Sequence, residues 1–212
     1  SPYQRTGSFL YVLLPAWARQ GGFEAMFERI QDPPNRGRIL DALKALTLHF
    51  DRYIVATADT PGTNGKTLLE IAQAMEQPPE ETVLDLLIAS RGKVTIFGKT
   101  LSMRNVEFCL THPLSMIASD GSGVAVELAR SGKLVHPRST GAFPHFLHRF
   151  VRERGLLSWE EGVRKITALP AETIGLAERG RVEKKYFADI VVFDLEAIRD
   201  RSTYQNPYLA PE

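Results

Sequence analysis

Cysteine is nearly absent. Cys109 is the only one in 212 residues, which excludes an internal disulfide framework and fits a reducing compartment. Neither sign of charge dominates: 26 basic residues stand against 25 acidic ones, with no dense basic block. That balance argues against nucleic acid or an anionic membrane as the main partner. Apolar runs stay far below the length of a membrane span, and the opening residues do not read as a signal peptide. A cytoplasmic location is the resulting expectation. Internal repeats and low-complexity tracts are missing too. What remains is enough chain for a real core, as one large domain or two small ones.

Hydrophobic periodicity predicts most of the elements. Phe23, Met26, Phe27 and Ile30 mark a helix that Gly21-Gly22 splits from the segment carrying Trp17, a core anchor. A second helix runs from Asn35 to about Leu46 after Asp32-Pro33-Pro34, and His49 beyond it reads as structural. β-Branched content makes residues 52–58 a strand. The following Thr60–Thr67 loop contains Gly-Lys-Thr but has Thr60 where a phosphate loop needs glycine. Its plainer role is a turn, with Thr67 capping a helix over 68–75. Pro78-Pro79-Glu80-Glu81 opens another helix to Ser90, and residues 93–97 form a further strand. Ser102 is expected to cap a helix that buries Val106, Cys109 and Leu110. Phe143, Phe146, Leu147, Phe150 and Val151 define an amphipathic helix closed by Gly155. His145 and His148 fall on its other side, three apart; such a pair can bind metal, and a solvated polar face is the expectation. Ser158-x-x-Glu161 is a capping box for a helix packed through Trp159, Val163 and Ile166 and ended by Pro170. The apolar run 188–193 reads as a strand covered on both faces.

Thr111 to His145 organises the chain. Met116-Ile117-Ala118 is too short for a helix and reads as a buried strand, ending in Ser119-Asp120-Gly121. In parallel α/β barrels that strand end is where catalytic groups are placed, so Asp120 is the first candidate for chemistry. Asp-Gly also makes a turn in its own right, and the tripeptide leaves both readings open. Downstream, His136-Pro137-Arg138 holds an arginine between a stiff segment and a Gly turn. Its planar fork suits bidentate capture of a carboxylate, or else anchors its own loop.

Together these motifs resemble a known family. Ser-Asp-Gly, then HPR-x-x-G-x-FP, LS-x-EE-x-VRK-x-T-x-LPA, RG and ADIVVFD are similar to the C-terminal part of the N-acyl-D-amino-acid deacylases (D-aminoacylases) of the metal-dependent amidohydrolase superfamily. PYQRTGS, LLPAWARQGG, GKTLLEIAQAM and STYQNPYLAPE resemble segments of those enzymes in the same order. The resemblance implies an α/β fold: the C-terminal portion of a (β/α)8 barrel, with parallel strands near 93–97 and 115–119. Residues 1–14 would be a barrel segment, 15–60 a small inserted helical domain, 61–180 the last barrel strands and helices, and 181–212 the return to an accessory β-sandwich. Similar sequence precedes and follows these points in the family, so the chain is expected to be a segment of a longer polypeptide.

The same resemblance implies chemistry. Family members hydrolyse the amide of an N-acyl-D-amino acid at a zinc-type centre, where an aspartate takes a proton from water and delivers it to the leaving amine. Asp120 matches that aspartate, and Arg138 matches the arginine that holds the substrate α-carboxylate. Tyr3 and Ser8 match residues that contact the carbonyl and substrate, although Gln4-Arg5-Thr6 departs from the family's Tyr-x-Ala-Gly-Ser pattern. His112 and His136 are expected to support the site from behind. Metal ligands of the family, a His-x-His pair, a cysteine or carboxylated lysine and two more histidines, lie before this chain; the five histidines here contain no His-x-His. Beyond Asp120 the chain supplies no metal ligand, and by itself is expected to bind no catalytic zinc and hydrolyse nothing. The expected partners are a small N-acyl amino acid and the remainder of its own barrel. A barrel closes on eight strands and this chain supplies about three, so self-association into a homo-oligomer, or edges covered by the helical insert, is expected. A cyclic-amide hydrolase of the dihydroorotase or hydantoinase kind, or a non-catalytic scaffold that kept the fold, are the other readings.

Overall fold

The fold is taken from a computed structural model of the chain, which describes residues 1–123, 125, 127 and 131–212. Two compact units divide it: residues 5–100 with 127–134, and residues 1–4, 101–126 and 135–212. The segment 15–60 is continuous with its flanks inside the first of these.

Among the described residues, that first unit combines a small sheet with five α-helices. Strands β1 (Arg5–Phe9), β2 (Tyr53–Thr57) and β3 (Thr95–Lys99) lie in the order β1-β3-β2. Both pairings are antiparallel, with Gly7 and Ile54 opposite Phe97 from either side. This corrects the expectation of a parallel strand near 93–97. Periodicity identifies a strand but carries no direction, which long-range pairing sets. Helices α1 (Ala16–Arg19), α2 (Gly22–Gln31), α3 (Pro33–Ala45), α4 (Leu68–Ala74) and α5 (Pro79–Ala89) supply the rest. Asp32 caps α3 by accepting from Asn35 N–H at 3.1 Å. Thr67 and Glu70 form a reciprocal box at the start of α4: Thr67 Oγ1 accepts Glu70 N–H at 3.1 Å, and Glu70 Oε2 accepts Thr67 N–H at 2.7 Å. The 60–67 loop folds back on β2, Gly65 N–H donating to Val55 O at 2.8 Å, so it is a turn. Leu10, Met26, Ile30, Ile39, Val55, Leu84 and Ile96 belong to one buried cluster.

The second unit is helical with long irregular segments. It holds α6 (Met103–Thr111), α7 (Arg138–His145), a π-helical stretch (Phe146–Glu153), α8 (Trp159–Ile166) and α9 (Ala168–Ile174). Phe146, Leu147, Phe150 and Val151 bury as their spacing predicts, against Val106, Leu110 and Ile117. Pro144 sits inside α7, and the wider π winding begins two residues later; a missing N–H and a ring clash disturb the ladder there.

Several expectations fail in this unit: Ser102 precedes α6 without a side-chain cap hydrogen bond among the described residues, and Phe143 is 41% exposed. Cys109 is exposed, because α6 turns Val106 and Leu110 to the core instead. Pro170 does not end a helix; Thr167 breaks it, and Pro170 occupies the first turn of α9, where a missing N–H costs nothing. Residues 115–119 have no regular secondary structure and no strand partner among the described residues; Ile117 N–H donates to Lys165 O at 3.2 Å. Residues 188–193 join no sheet, and Val191 and Val192 are 82% and 92% exposed. An apolar run becomes a covered strand only where other strands offer their N–H and C=O groups.

Candidate active site

The site is built on α7 and its π-helical continuation. Arg138, Gly141, His145 and His148 recur at i, i+3, i+7 and i+10, the spacing of one helix face. Arg138 opens α7, and His136 just before it accepts the Arg138 N–H through Nδ1 at 3.1 Å. This fixes the turn from which the guanidinium projects.

Asp120 meets that guanidinium. Its Oδ2 lies 2.9 Å from Arg138 Nη1; the arginine is largely buried, whereas the aspartate side chain is 73% exposed. Asp120 has φ +50°, a left-handed conformation that aspartate tolerates better than most residues. The left-handed Asp120 thus bends the chain at Ser119-Asp120-Gly121 while its carboxylate faces Arg138. Gly121 is required by sterics, since a Cβ there would sit 2.8 Å from Ser139 Cα and 3.2 Å from Arg138 O. Ser122 N–H then donates to Ser139 Oγ at 3.2 Å, closing the loop on the helix start.

Behind the pair lies a buried aromatic and carboxylate cluster. Tyr3 stacks on His145 at 4.4 Å between ring centroids and meets His136 edge-on at 5.1 Å. His136 in turn meets Tyr204 at 5.1 Å. His145 Nδ1 is 2.9 Å and His148 Nδ1 3.3 Å from the two oxygens of Asp200. Burial pushes the Asp200 carboxyl up, but hydrogen bonds and charge from His145, and a hydrogen bond from His148, outweigh it and hold it below the usual range. The two histidines thus do not form a solvated face; they clamp a carboxylate. Gly141 admits this arm, because a Cβ would come within 3.2 Å of Asp200 Cβ and 3.4 Å of Tyr3 Oη. Tyr3 Oη is buried with no hydrogen-bond partner among the described residues. Burial first, then Asp200 and Tyr204, raises its phenol pKa well above the ordinary value.

The structure joins Asp120, Arg138, His136 and Tyr3 within one unit. Ser8 belongs to the other, half-buried on β1 opposite Ile96. His112 is exposed, its Nδ1 accepting Leu114 N–H at 3.3 Å. Among the described residues no three His, Cys, Asp or Glu side chains converge as a metal site requires. Asp120, with an arginine at its oxygen, does not by itself fit a catalytic metal. Sequence reasoning missed Asp200 and Lys165; the shared face of Arg138, His145 and His148 pointed to the first.

The model of the amidohydrolase family matches residues 14–211, and the chain belongs to that family. Within it the resemblance is to N-acyl-D-amino-acid deacylases. The chain is 43% identical over 99 residues to N-acyl-D-glutamate deacylase of Alcaligenes xylosoxydans xylosoxydans, covering 47% of this chain and 19% of that protein. It is 29% identical over 202 residues to D-aminoacylase of the same organism, covering 84% of this chain and 40% of the relative. Among solved structures, N-acyl-D-glutamate deacylase from Bordetella bronchiseptica, complexed with zinc and a phosphonate mimic of the tetrahedral intermediate, superposes with TM-score 0.70 at 26% identity, over 99% of this chain and 35% of that one. A D-aminoacylase described as defining a novel subset of amidohydrolases gives TM-score 0.69 at 27% identity, with the same coverage. The chain thus spans less than half the length of these relatives.

Proposed function

We infer that this chain is part of a metal-dependent hydrolase that cleaves the amide of N-acyl-D-amino acids. In this reading Arg138 holds the substrate α-carboxylate and Asp120 moves the proton from water to the leaving amine. The observation that carries it is the 2.9 Å approach of Asp120 to Arg138. In an acylated amino acid the carboxyl carbon and the amide nitrogen share one Cα, so they lie roughly 2.5 Å apart. A carboxylate clamp and a proton carrier for that nitrogen must therefore be neighbours, as these two are. The guanidinium has five donors, and its pairing with Asp120 through Nη1 leaves others for the substrate. Zinc, named with one relative, is assigned to the full-length protein. Its ligands are assigned to polypeptide outside this chain, which alone is expected to be inactive. Tyr3, packed on His136 and His145, and Ser8 are the further residues assigned to substrate contact in this reading. No observation comparable to the Asp120–Arg138 pair favours the cyclic-amide or scaffold readings.

Zinc content and hydrolysis of N-acetyl-D-Glu, N-acetyl-D-Asp and N-acetyl-D-Leu by the full-length protein test this. Asp120→Ala is expected to lower kcat by about 10²–10⁴-fold, and Arg138→Lys to act mainly on KM, because lysine lacks the planar fork. An active, zinc-loaded protein indifferent to Asp120→Ala removes that residue from the mechanism. A protein that binds no metal and hydrolyses nothing leaves the scaffold reading in place.

A further inference from the structure

Asp120 is held downstream by the packing of Gly121 on α7, and something must hold it upstream as well. The segment leading into it, residues 112–117, contributes one buried side chain to the core, Ile117. Its anchor is Lys165 near the end of α8, whose side chain is fully buried. A buried ammonium needs partners for three protons. Lys165 Nζ donates to His112 O at 2.5 Å, to Ser115 O at 2.9 Å and to Ser115 Oγ at 3.3 Å. Its own backbone carbonyl accepts Ile117 N–H at 3.2 Å. One residue therefore grips the segment from both its side chain and its main chain, and Asp120 follows Ile117 by three residues. Burial lowers the ammonium pKa, and Glu161, 3.9 Å away, opposes that shift. A surface lysine at this helical position would keep its charge in water at no cost. Its burial shows that tertiary structure has recruited the charge to cap a turn.

We propose that Lys165 is a positioning residue for the hydrolysis, setting where Asp120 sits by fixing the 112–117 segment. The inference rests on the reading of Asp120 given above. It separates from a purely structural role because Arg138, which binds the substrate carboxylate, is held independently by His136 and α7. Loosening the 112–117 segment moves the proton carrier and leaves the clamp in place. An effect confined to kcat is the signature of losing an interaction that acts in the transition state alone.

The test uses the full-length enzyme, with Lys165→Met to keep volume and remove the donors, and Asp120→Ala alongside. The expected result is a fall in kcat of about tenfold or more, in line with the cost of misplacing a reacting group by an ångström, with KM within about threefold of the parent. A folded Lys165→Met enzyme with parental kcat, or one losing kcat and raising KM together, overturns the proposal. Should Lys165→Met fail to fold, Ser115→Ala decides: a smaller kcat loss at unchanged KM supports the proposal, and parental kinetics overturn it. Full activity in Asp120→Ala would remove the functional reading, and this inference with it. An inactive Asp120→Ala beside an unaffected Lys165→Met removes only the inference.

Discussion

Adding one methyl group at Gly121 separates the two halves of the candidate site. In Gly121→Ala the new Cβ would start 2.8 Å from Ser139 Cα, 3.2 Å from Arg138 O and 3.3 Å from Ser139 N, all backbone atoms that no rotamer change can move aside. Carbon atoms rest at about 3.5–4.0 Å, so the Asp120 loop and the start of α7 must part by about 0.7–1.2 Å. The Asp120–Arg138 contact, now 2.9 Å, then stretches past hydrogen-bonding range. Overlap of this kind costs about 1–3 kcal/mol, whereas an ion pair whose carboxylate is 73% exposed contributes about 0–1 kcal/mol. The stability loss should therefore come from the overlap, and Arg138→Gln should not reproduce it. Urea denaturation of the two variants measures that difference. Hydrolysis by the full-length Gly121→Ala enzyme should fall by about 10²-fold, the consequence of an ångström of misalignment. A Gly121→Ala protein with parental midpoint and parental kcat would refute the packing argument and the paired placement of Asp120 and Arg138 with it.

Two further outcomes follow from the buried cluster behind the site. Tyr3→Phe deletes a buried hydroxyl that has no partner among the described residues, and an unpaired buried group costs about 1–3 kcal/mol. Denaturation at neutral pH should therefore show parental or higher stability. Because the Tyr3 phenol is raised in the fold while an unfolded tyrosine ionises near ~10, stability falls as pH rises past about 10. Tyr3→Phe should flatten that alkaline fall, and an identical slope in both proteins would count against the burial of the ring. Asp200 works in the opposite sense: its depressed pKa contributes stability that is present above the ordinary carboxylate value and lost as pH falls through the folded one. Acid titration of the denaturation midpoint below about pH 4 should show a gentler decline in Asp200→Asn than in the parent; equal slopes would mean that His145 and His148 do not hold it.

Local signals in the sequence located most helices because their causes are local. Thr67, Ser158 and Asp32 announce helix starts by chemistry that involves residues three positions on. Strands were harder. Arg5–Phe9 offers little alternation, and it is a strand because β3 pairs with it from ninety residues away. The run 188–193 carries every local mark of a buried strand and is exposed, since its apolar side chains state a need for cover without specifying what provides it. Lys165 was invisible for a related reason. Beside Val163 and Ile166, on the rim of an amphipathic helix, a lysine reads as solvent-facing; only the fold brings the carbonyls of His112 and Ser115 to its ammonium. His145 and His148 shared a readable face with Arg138, but their partner lies more than fifty residues downstream.

The exposure of Asp120 bears on what such a site can do. Two unit charges about 4 Å apart attract by about 1 kcal/mol in water and by about 4 kcal/mol at an effective dielectric constant near 20. With Asp120 73% exposed, the chain brings its carboxylate to the largely buried Arg138 guanidinium but leaves the acidic partner in the weak regime. Excluding water from such groups strengthens every interaction among them without moving an atom. The direction of the Asp120–Arg138 pair is thus encoded in Gly121, His136 and the start of α7, while its strength depends on cover. Under the roles proposed for Asp120 and Arg138, the pair lacks cover as a separate matter from any metal ligands. On the proposed reading, covering polypeptide would act in two separable ways, by supplying a metal site and by drying this one.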